Sequence, residues 1–466
     1  MKAPSASAIA AVRAELEAKL GPGQVSADPD KLLVYGHDES DMGDFAPQLL
    51  VFARNTADVQ QVFRTAFAHG VPVTPVAARS GKSGGSLALY GGVSLSLERM
   101  NKILSISPED LTAVVEPGVI TGALMKAADE LGLFYPPDPN SWEFCSMGGN
   151  IAENAGGPRA LKYGVTRDYV LAMEWVLPTG EALRIGKKTI KGVAGYDLCG
   201  LFVGSEGTLG VATEITLQLI PRPRKVMTAL VIFKDVLEAA RAVSAVLASG
   251  LLPRCLELLD DVSIKAIDGR GFSFPPGSGA AVIAEVDGNH EDGLLLELEQ
   301  LSQIATAHGA IDTLLAQDET QREKIWAARR VVSTALRAMK PFKISEDIAV
   351  PRSKIPEAIE RFKQLGVRLG LTVATYGHAG DGNLHANILF DGPHERPTVD
   401  EALAQMMRIT IELGGTITGE HGVGYAKRKF ISLEQGPALI AFQKRLKAFI
   451  DPLGLLNPGK IFEEDA

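Results

Sequence analysis

VTPVAARSGKSGGS occupies residues 73–86, and the embedded Gly-Lys-Ser invites reading it as the phosphate loop of a nucleotide hydrolase. Such a loop requires a glycine five positions before the Gly-Lys pair, so that the backbone can wrap the phosphates. Val76 stands there, and the hydrolase reading fails. What remains is an apolar run from Val71 to Ala78 followed by Gly81, Gly84 and Gly85 among Ser80, Ser83 and Ser86. A strand leading into a loop of this kind can point backbone N–H groups at an anionic pyrophosphate. It can equally be a solvated turn, so the neighbouring sequence has to decide.

Outward from this loop, the first half alternates short apolar stretches, QLLVFA (48–53), GVSLSL (92–97), TAVVEPG (112–118) and MEWVLPTGE (173–181), with helical periodicity in TADVQQVFRTAFAHG (56–70) and TGALMKAADELG (121–132). This is a mixed α/β region. PRPRK (221–225) breaks the pattern, and beyond it come VMTALVIF (226–233), a helix over 235–249, CLELLD (255–260), AAVIAEVDG (280–288), a helix over 291–308 and a longer one from about Asp318 to Met339. Strands and helices in this irregular order predict an α+β second domain with an antiparallel sheet. Glycine-rich motifs return from Gly414 and NPGK (457–460) closes the chain. The expected division is therefore 1–222, 223–413, and a terminal segment 414–466 that returns to the first domain.

Composition narrows the function. A formal charge of −9 with scattered Lys and Arg over 466 residues gives no basic footprint for nucleic acid. Cys145, Cys199 and Cys255 lack a CxxC spacing, which suits a reducing compartment. No run of about 18 apolar residues predicts a membrane-spanning helix, and residues 5–20 alternate apolar and charged positions with helical period rather than forming the apolar core of a signal peptide. The expectation is a cytoplasmic protein, with peripheral attachment to the inner face of a membrane left open.

A second glycine cluster, YPPDPNSWEFCSMGGNIAENAGG (135–157), sets two glycine pairs beside Asn150 and Asn154, as a surface moulded around a large polar aromatic ligand requires. A tight loop packed for its own sake is the alternative. Farther on, in YGHAGDGNLHAN (376–387), Gly380-Asp381-Gly382 is a strong turn signal. A hairpin centred on Asp381 and Gly382 makes His378 and His385 direct cross-strand partners, with Cβ atoms about 5 Å apart. Two imidazoles joined by Glu420, from GGTITGEHGVG (414–424), form a common ligand set for catalytic zinc.

These segments, with LKYG (161–164), GYDLCGLFVGSEGTLGV (195–211) and NPGK, occur in an order that closely resembles the FAD-linked oxidases of the vanillyl-alcohol oxidase type. The resemblance covers roughly residues 30–462 and points to the D-lactate dehydrogenase, glycolate oxidase flavin-subunit and D-2-hydroxyglutarate dehydrogenase branch. It implies a two-part FAD-binding domain of the p-cresol methylhydroxylase type over 1–222, an α+β cap domain over 223–413, and a terminal segment completing the active site. It assigns Ser80, Gly81, Lys82, Ser83, Gly84, Gly85 and Ser86 to one side of the FAD. Pro137, Asp138, Ser141, Gly148, Gly149, Asn150, Asn154 and Gly157 fall on the other, with Glu206, Gly207 and Gly210 closing the adenine end. Relatives with covalent flavin often carry a histidine in the first loop; none is present here, so the FAD is expected to be dissociable. No GxGxxG lies between a strand and a helix, so a nicotinamide has no evident seat.

The same resemblance implies that His378, His385 and Glu420 hold a divalent metal, zinc by ligand type. His421 becomes the base that takes the hydroxyl proton while the Cα hydride passes to flavin N5. IWAARR (325–330) matches the family's Trp-x-x-Arg and makes Arg329 the substrate-carboxylate clamp. Asn387 joins the substrate contacts. In KISEDIAVP (343–351) the hydroxyglutarate enzymes tend to have a lysine where Ser345 stands here; Lys343, two residues earlier on the same strand face, is the substitute. That departure favours a monocarboxylate such as D-lactate or glycolate, with D-2-hydroxyglutarate as the alternative. The electron acceptor stays open among a quinone, a cytochrome and an electron-transferring flavoprotein, and the assembly between a homodimer and the flavin subunit of a complex. A metal hydrolase built on His378, His385 and Glu420 is the competing class, and it would leave the long glycine loops without a purpose.

Overall fold

The computed structural model describes residues 1–40, 42–270 and 273–463. Contacts divide the chain into two compact units. The first comprises Met1–Gly156, Val165–Arg222 and the chain from His421 onward; the second comprises Gly157–Gly164 and Pro223–Glu420.

In the first unit, Leu49–Phe52, Val93–Ser96 and Val73–Val76 pair in parallel in that order, with Val25–Ser26 added antiparallel at one edge. LLVF and VSLS are buried along their whole length, as central parallel strands are. The helix Thr56–Ala68 starts where the Asn55 side chain accepts the Asp58 amide, and its Val59, Val62, Phe63 and Ala66 pack on Leu49, Val51, Val93 and Leu95. A five-stranded antiparallel sheet follows, ordered Ile103–Ser107, Thr112–Val115, Val211–Gln218, Val170–Val176, Ala182–Gly186. The terminal segment braces the first glycine loop. The Ser83 carbonyl accepts from the Tyr425 and Ala426 amides at 2.8 and 3.0 Å, and Asn457 Nδ2 donates to the Gly85 carbonyl at 3.0 Å. Gly424, at φ +50, lies so near the Ser83 carbonyl that a Cβ would collide with it.

The second unit is built on one seven-stranded sheet, antiparallel throughout, ordered Ala310–Leu315, Lys225–Phe233, Ala280–Gly288, Cys255–Leu259, Thr372–His378, Asn383–Phe390, Phe342–Ala349. On one face Leu230, Ile283, Leu259 and Tyr376 pack against Ile264, Ile325, Val332 and Leu336 of three helices. The longer helix expected from Asp318 is two, Glu319–Arg330 and Val332–Arg337, broken where Val331 relaxes to ψ −3. That same sheet face becomes polar where Glu285, Glu257, His378, His385 and Asp347 follow one another across five strands. Residues 414–420 stay with this unit because Thr416 and Ala349 exchange backbone hydrogen bonds. Gly157–Gly164 joins it through Lys162 and Tyr163, which both bond the Asp287 carboxylate, at 2.6 and 2.7 Å.

Candidate functional site

In the first unit the glycine loops leave polar atoms without partners. Ser83, Ser146 and Ser205 are buried with hydroxyl oxygens that make no hydrogen bond, and Glu153 Oε2 makes none either. Buried polar atoms are nearly always paired, so these four, lying in or beside the loops at 80–86, 146–157 and 205–210, fit a large ligand rich in hydrogen-bonding groups. Gly81 and Gly149 are open to close approach, with no protein atom where a Cβ would make tight contact. Burial and then the neighbouring Glu206 hold the Glu153 carboxyl well above the ordinary carboxylate range.

Other residues assigned to the flavin are engaged by the protein. Asn150 Nδ2 donates to Thr121 Oγ1 at 2.8 Å; Asn154, left-handed at a helix end, accepts the Arg167 amide at 2.9 Å. The Glu206 carboxylate receives the Val423 and Gly424 amides at 2.8 and 2.6 Å, and therefore tethers the loop that begins at His421. Gly148 packs on Pro117 and Gly210 on Trp175. Ser86 Oγ donates to Asp38, Ser141 accepts two amides through its carbonyl, Lys82 is exposed and Pro137 is buried. Gly207 sits at φ +65, and Gly157 lies in the second unit.

In the second unit, His378, His385 and Glu420 come together: one donor atom from each lies within 4.8 Å of the others. Glu420 Oε1 is 3.4 Å from His378 Nε2 and 3.6 Å from His385 Nε2. The route to this arrangement differs from the expected one. His378 does not pair directly with His385. The register is His378↔Asn383 and Tyr376↔His385, because the hairpin closes through Ala379–Gly382, with the Asp381 and Gly382 amides both on the His378 carbonyl. A shift of two residues preserves the sheet face, so the two imidazoles meet on the diagonal, edge to face at 5.4 Å between centroids.

Two buried carboxylates, unread in the sequence, hold this group. Glu257, wholly buried, places Oε1 2.5 Å from His378 Nδ1, while its Oε2 receives Arg329 Nε and Nη2 at 2.7 and 2.6 Å. Burial pushes the Glu257 carboxyl up, but His378 and Arg329 outweigh it and hold it at about 2. Asp347, also wholly buried, accepts through Oδ2 from Thr418 Oγ1 and from the Gly419 and Glu420 amides, each at 2.9 Å. The available signal was an acid inside an apolar strand, Glu257 in CLELL and Asp347 in SEDIA, since a buried charge requires partners. Arg329 is buried, with its guanidinium 4.8 Å over the Tyr376 ring. Asn387 is wholly buried and its Oδ1 has no partner. Lys343 donates to Ser333 Oγ at 2.6 Å. Burial lifts Asp381, in the hairpin loop, to about 7. The boundary between the units falls at the peptide bond between Glu420 and His421.

The donor set of two imidazoles and one carboxylate suits a catalytic divalent ion. Among the described residues no helix is long and apolar enough to cross a membrane. Comparison with known proteins adds the following. The C-terminal domain of FAD linked oxidases matches residues 222–461, and an FAD binding domain matches residues 47–186. The glycolate oxidase subunit GlcD of Bacillus subtilis is 39% identical over 458 residues, 98% of this chain and 97% of that protein. D-lactate dehydrogenase of Anaerostipes hadrus is 37% identical, covering 92% of each. D-2-hydroxyglutarate dehydrogenase of Stutzerimonas stutzeri is 34% identical, covering 96% and 98%. Among solved structures, p-cresol methylhydroxylase with substrate bound matches with a TM-score of 0.82 over 99% of each chain at 18% identity, a likeness that establishes the p-cresol methylhydroxylase type of fold.

Proposed function

We propose that this chain, which belongs to the FAD-linked oxidases, is an FAD-dependent dehydrogenase that oxidises a D-2-hydroxy acid to the 2-oxo acid and passes the electrons to an acceptor other than a nicotinamide nucleotide. The observation that carries the reading is the convergence of His378, His385 and Glu420 in a chain whose other unit holds the orphaned serines of the glycine loops. A metal hydrolase would use the first feature and leave the second unexplained.

The loops at 80–86 and 146–157 would hold FAD, which would supply the two-electron acceptor for the hydride leaving Cα. His378, His385 and Glu420 would hold a divalent ion, zinc by ligand type, which would supply Lewis acidity at the substrate hydroxyl. The residues of the chain do the rest. His421 accepts the hydroxyl proton, an assignment that rests on the family resemblance and on its place beside Glu420 in the chain. Arg329, a buried cation on the polar face of the second unit, takes the substrate carboxylate, and Asn387, wholly buried two residues beyond His385 on the same strand face, is a further substrate contact by the family resemblance. Ser345 stands where a second carboxylate would need a cation, which favours a monocarboxylate such as D-lactate or glycolate over D-2-hydroxyglutarate; Lys343, two residues earlier, bonds Ser333 Oγ and keeps its charge.

The test is anaerobic mixing of the yellow protein with D-lactate, L-lactate, glycolate and D-2-hydroxyglutarate. Bleaching of the flavin band by a monocarboxylate is the expected result. No bleaching by any of the four overturns the reading, and bleaching by D-2-hydroxyglutarate alone moves it to the dicarboxylate enzymes.

A further inference from the structure

We propose that Glu257 is the positioning residue of the metal site: it fixes His378 with Nε2 presented to the ion, and Arg329 in turn fixes Glu257. The proposal rests on the metal reading given above and goes beyond it to a residue that binds neither ion nor substrate.

The strand Cys255–Leu259 sets Glu257 directly opposite His378, so the contact follows from the register of the sheet. A carboxylate oxygen 2.5 Å from Nδ1 accepts, and that nitrogen must carry the proton. The lone pair of the neutral ring is then on Nε2, the nitrogen 3.4 Å from Glu420. With the proton on Nε2 instead, Nδ1 and the carboxylate would face each other as two acceptors. A carboxylate behind a ligating imidazole sets the ring's orientation and raises its basicity. The second oxygen of Glu257 is committed to Arg329 through two nitrogens, which leaves the carboxylate one position and compensates its charge in a buried setting. Glu285 provides the contrast. It lies on the same sheet face, is also buried, bonds Thr228 and Trp326, and pairs with Arg254 at 3.3 Å, with no histidine among those partners. A fold that needed only a buried acid beneath the helix Glu319–Arg330, which carries Trp326 and Arg329, already has one there.

The experiment uses the flavin-loaded protein stripped of metal by a chelator, then titrated with Zn2+ against a chromophoric competitor. It compares wild type, Glu257→Gln, Glu257→Asp and Glu285→Gln. Glu257→Gln is expected to weaken Zn2+ binding by about 10–100-fold with full flavin content, and Glu257→Asp by a smaller factor. Glu285→Gln should bind Zn2+ as wild type does. If Glu257→Gln fails to fold, Glu257→Asp carries the comparison. Wild-type affinity in the folded Glu257 variants overturns the inference alone, and so does an equal loss in Glu285→Gln. A wild-type protein that takes up no Zn2+ overturns the metal reading and this inference with it.

Discussion

Asp347 Oδ2 lies 2.9 Å from the amide nitrogen of Glu420. The residue that presents a carboxylate to the two histidines is thus itself held by a carboxylate, through its backbone. The same oxygen receives Gly419 and Thr418, and Oδ1 receives Asn383 Nδ2 at 2.5 Å.

Replacing Asp347 by Ala strands these donors, each unmet buried group costing about 1–3 kcal/mol. The expected result is a lowered unfolding midpoint together with loss of bound metal, the flavin staying in place. Calorimetry and metal analysis of one preparation check it. A melting curve like that of wild type would show that the 416–420 segment is held without Asp347.

Chelation is expected to lower activity while the flavin absorbance of the protein persists. His385→Ala should reproduce the chelated state, because it removes one of three donors that lie within 4.8 Å of one another. Full turnover by a preparation shown to be metal-free would reduce both histidines to substrate or structural contacts.

His421→Ala should slow reduction of the flavin by substrate about 10²–10⁴-fold, the usual cost of losing one positioned base, with reduction by dithionite unaffected. Stopped-flow measurement of the bleaching rate decides. A rate near that of wild type assigns the proton to another residue.

The flavin should leave the chain on acid precipitation, since residues 80–86 offer only Ser, Gly and Lys and no histidine for attachment. A yellow pellet with a colourless supernatant is the contrary result.

Arg329→Lys should raise the Michaelis constant about tenfold or more, in keeping with a charge-assisted hydrogen bond, because an ammonium lacks the planar fork of a guanidinium. It should also lower stability, because Glu257 keeps a weaker partner in a buried place. An unchanged Michaelis constant would confine Arg329 to its ion pair with Glu257.

The elements were legible where periodicity was local. Val59, Val62, Phe63 and Ala66 mark a helix by spacing alone, and AAVIAEVDG is a strand from Ala280 to Gly288 as read. That His378, His385 and Glu420 belong together was legible because two imidazoles and a carboxylate are the residue types a divalent ion would take. The hairpin register was not, since loop length depends on a distant contact: Val350, from another strand's end, donates to the Gly382 carbonyl at 3.0 Å. The expected face survived because the error was an even number of residues. Glu257 and Asp347 escaped notice for a related reason. Their partners lie far along the chain, His378 being 121 residues from Glu257, and no local pattern reports a contact of that kind.

The brace on the first glycine loop has a consequence for how the protein is made. Tyr425, Ala426 and Asn457 hold Ser83 and Gly85, so a loop synthesised early is completed by residues made up to 372 positions later. At ordinary synthesis speed the interval is roughly tens of seconds, during which every strand of the seven-stranded sheet has already emerged. Flavin loading is therefore expected only after Asn457 has been made. A chain cut just after Glu420, which removes Tyr425, Ala426 and Asn457 together, should emerge with that sheet intact and colourless, and a yellow truncated product would show that the early loop can grip its flavin unaided.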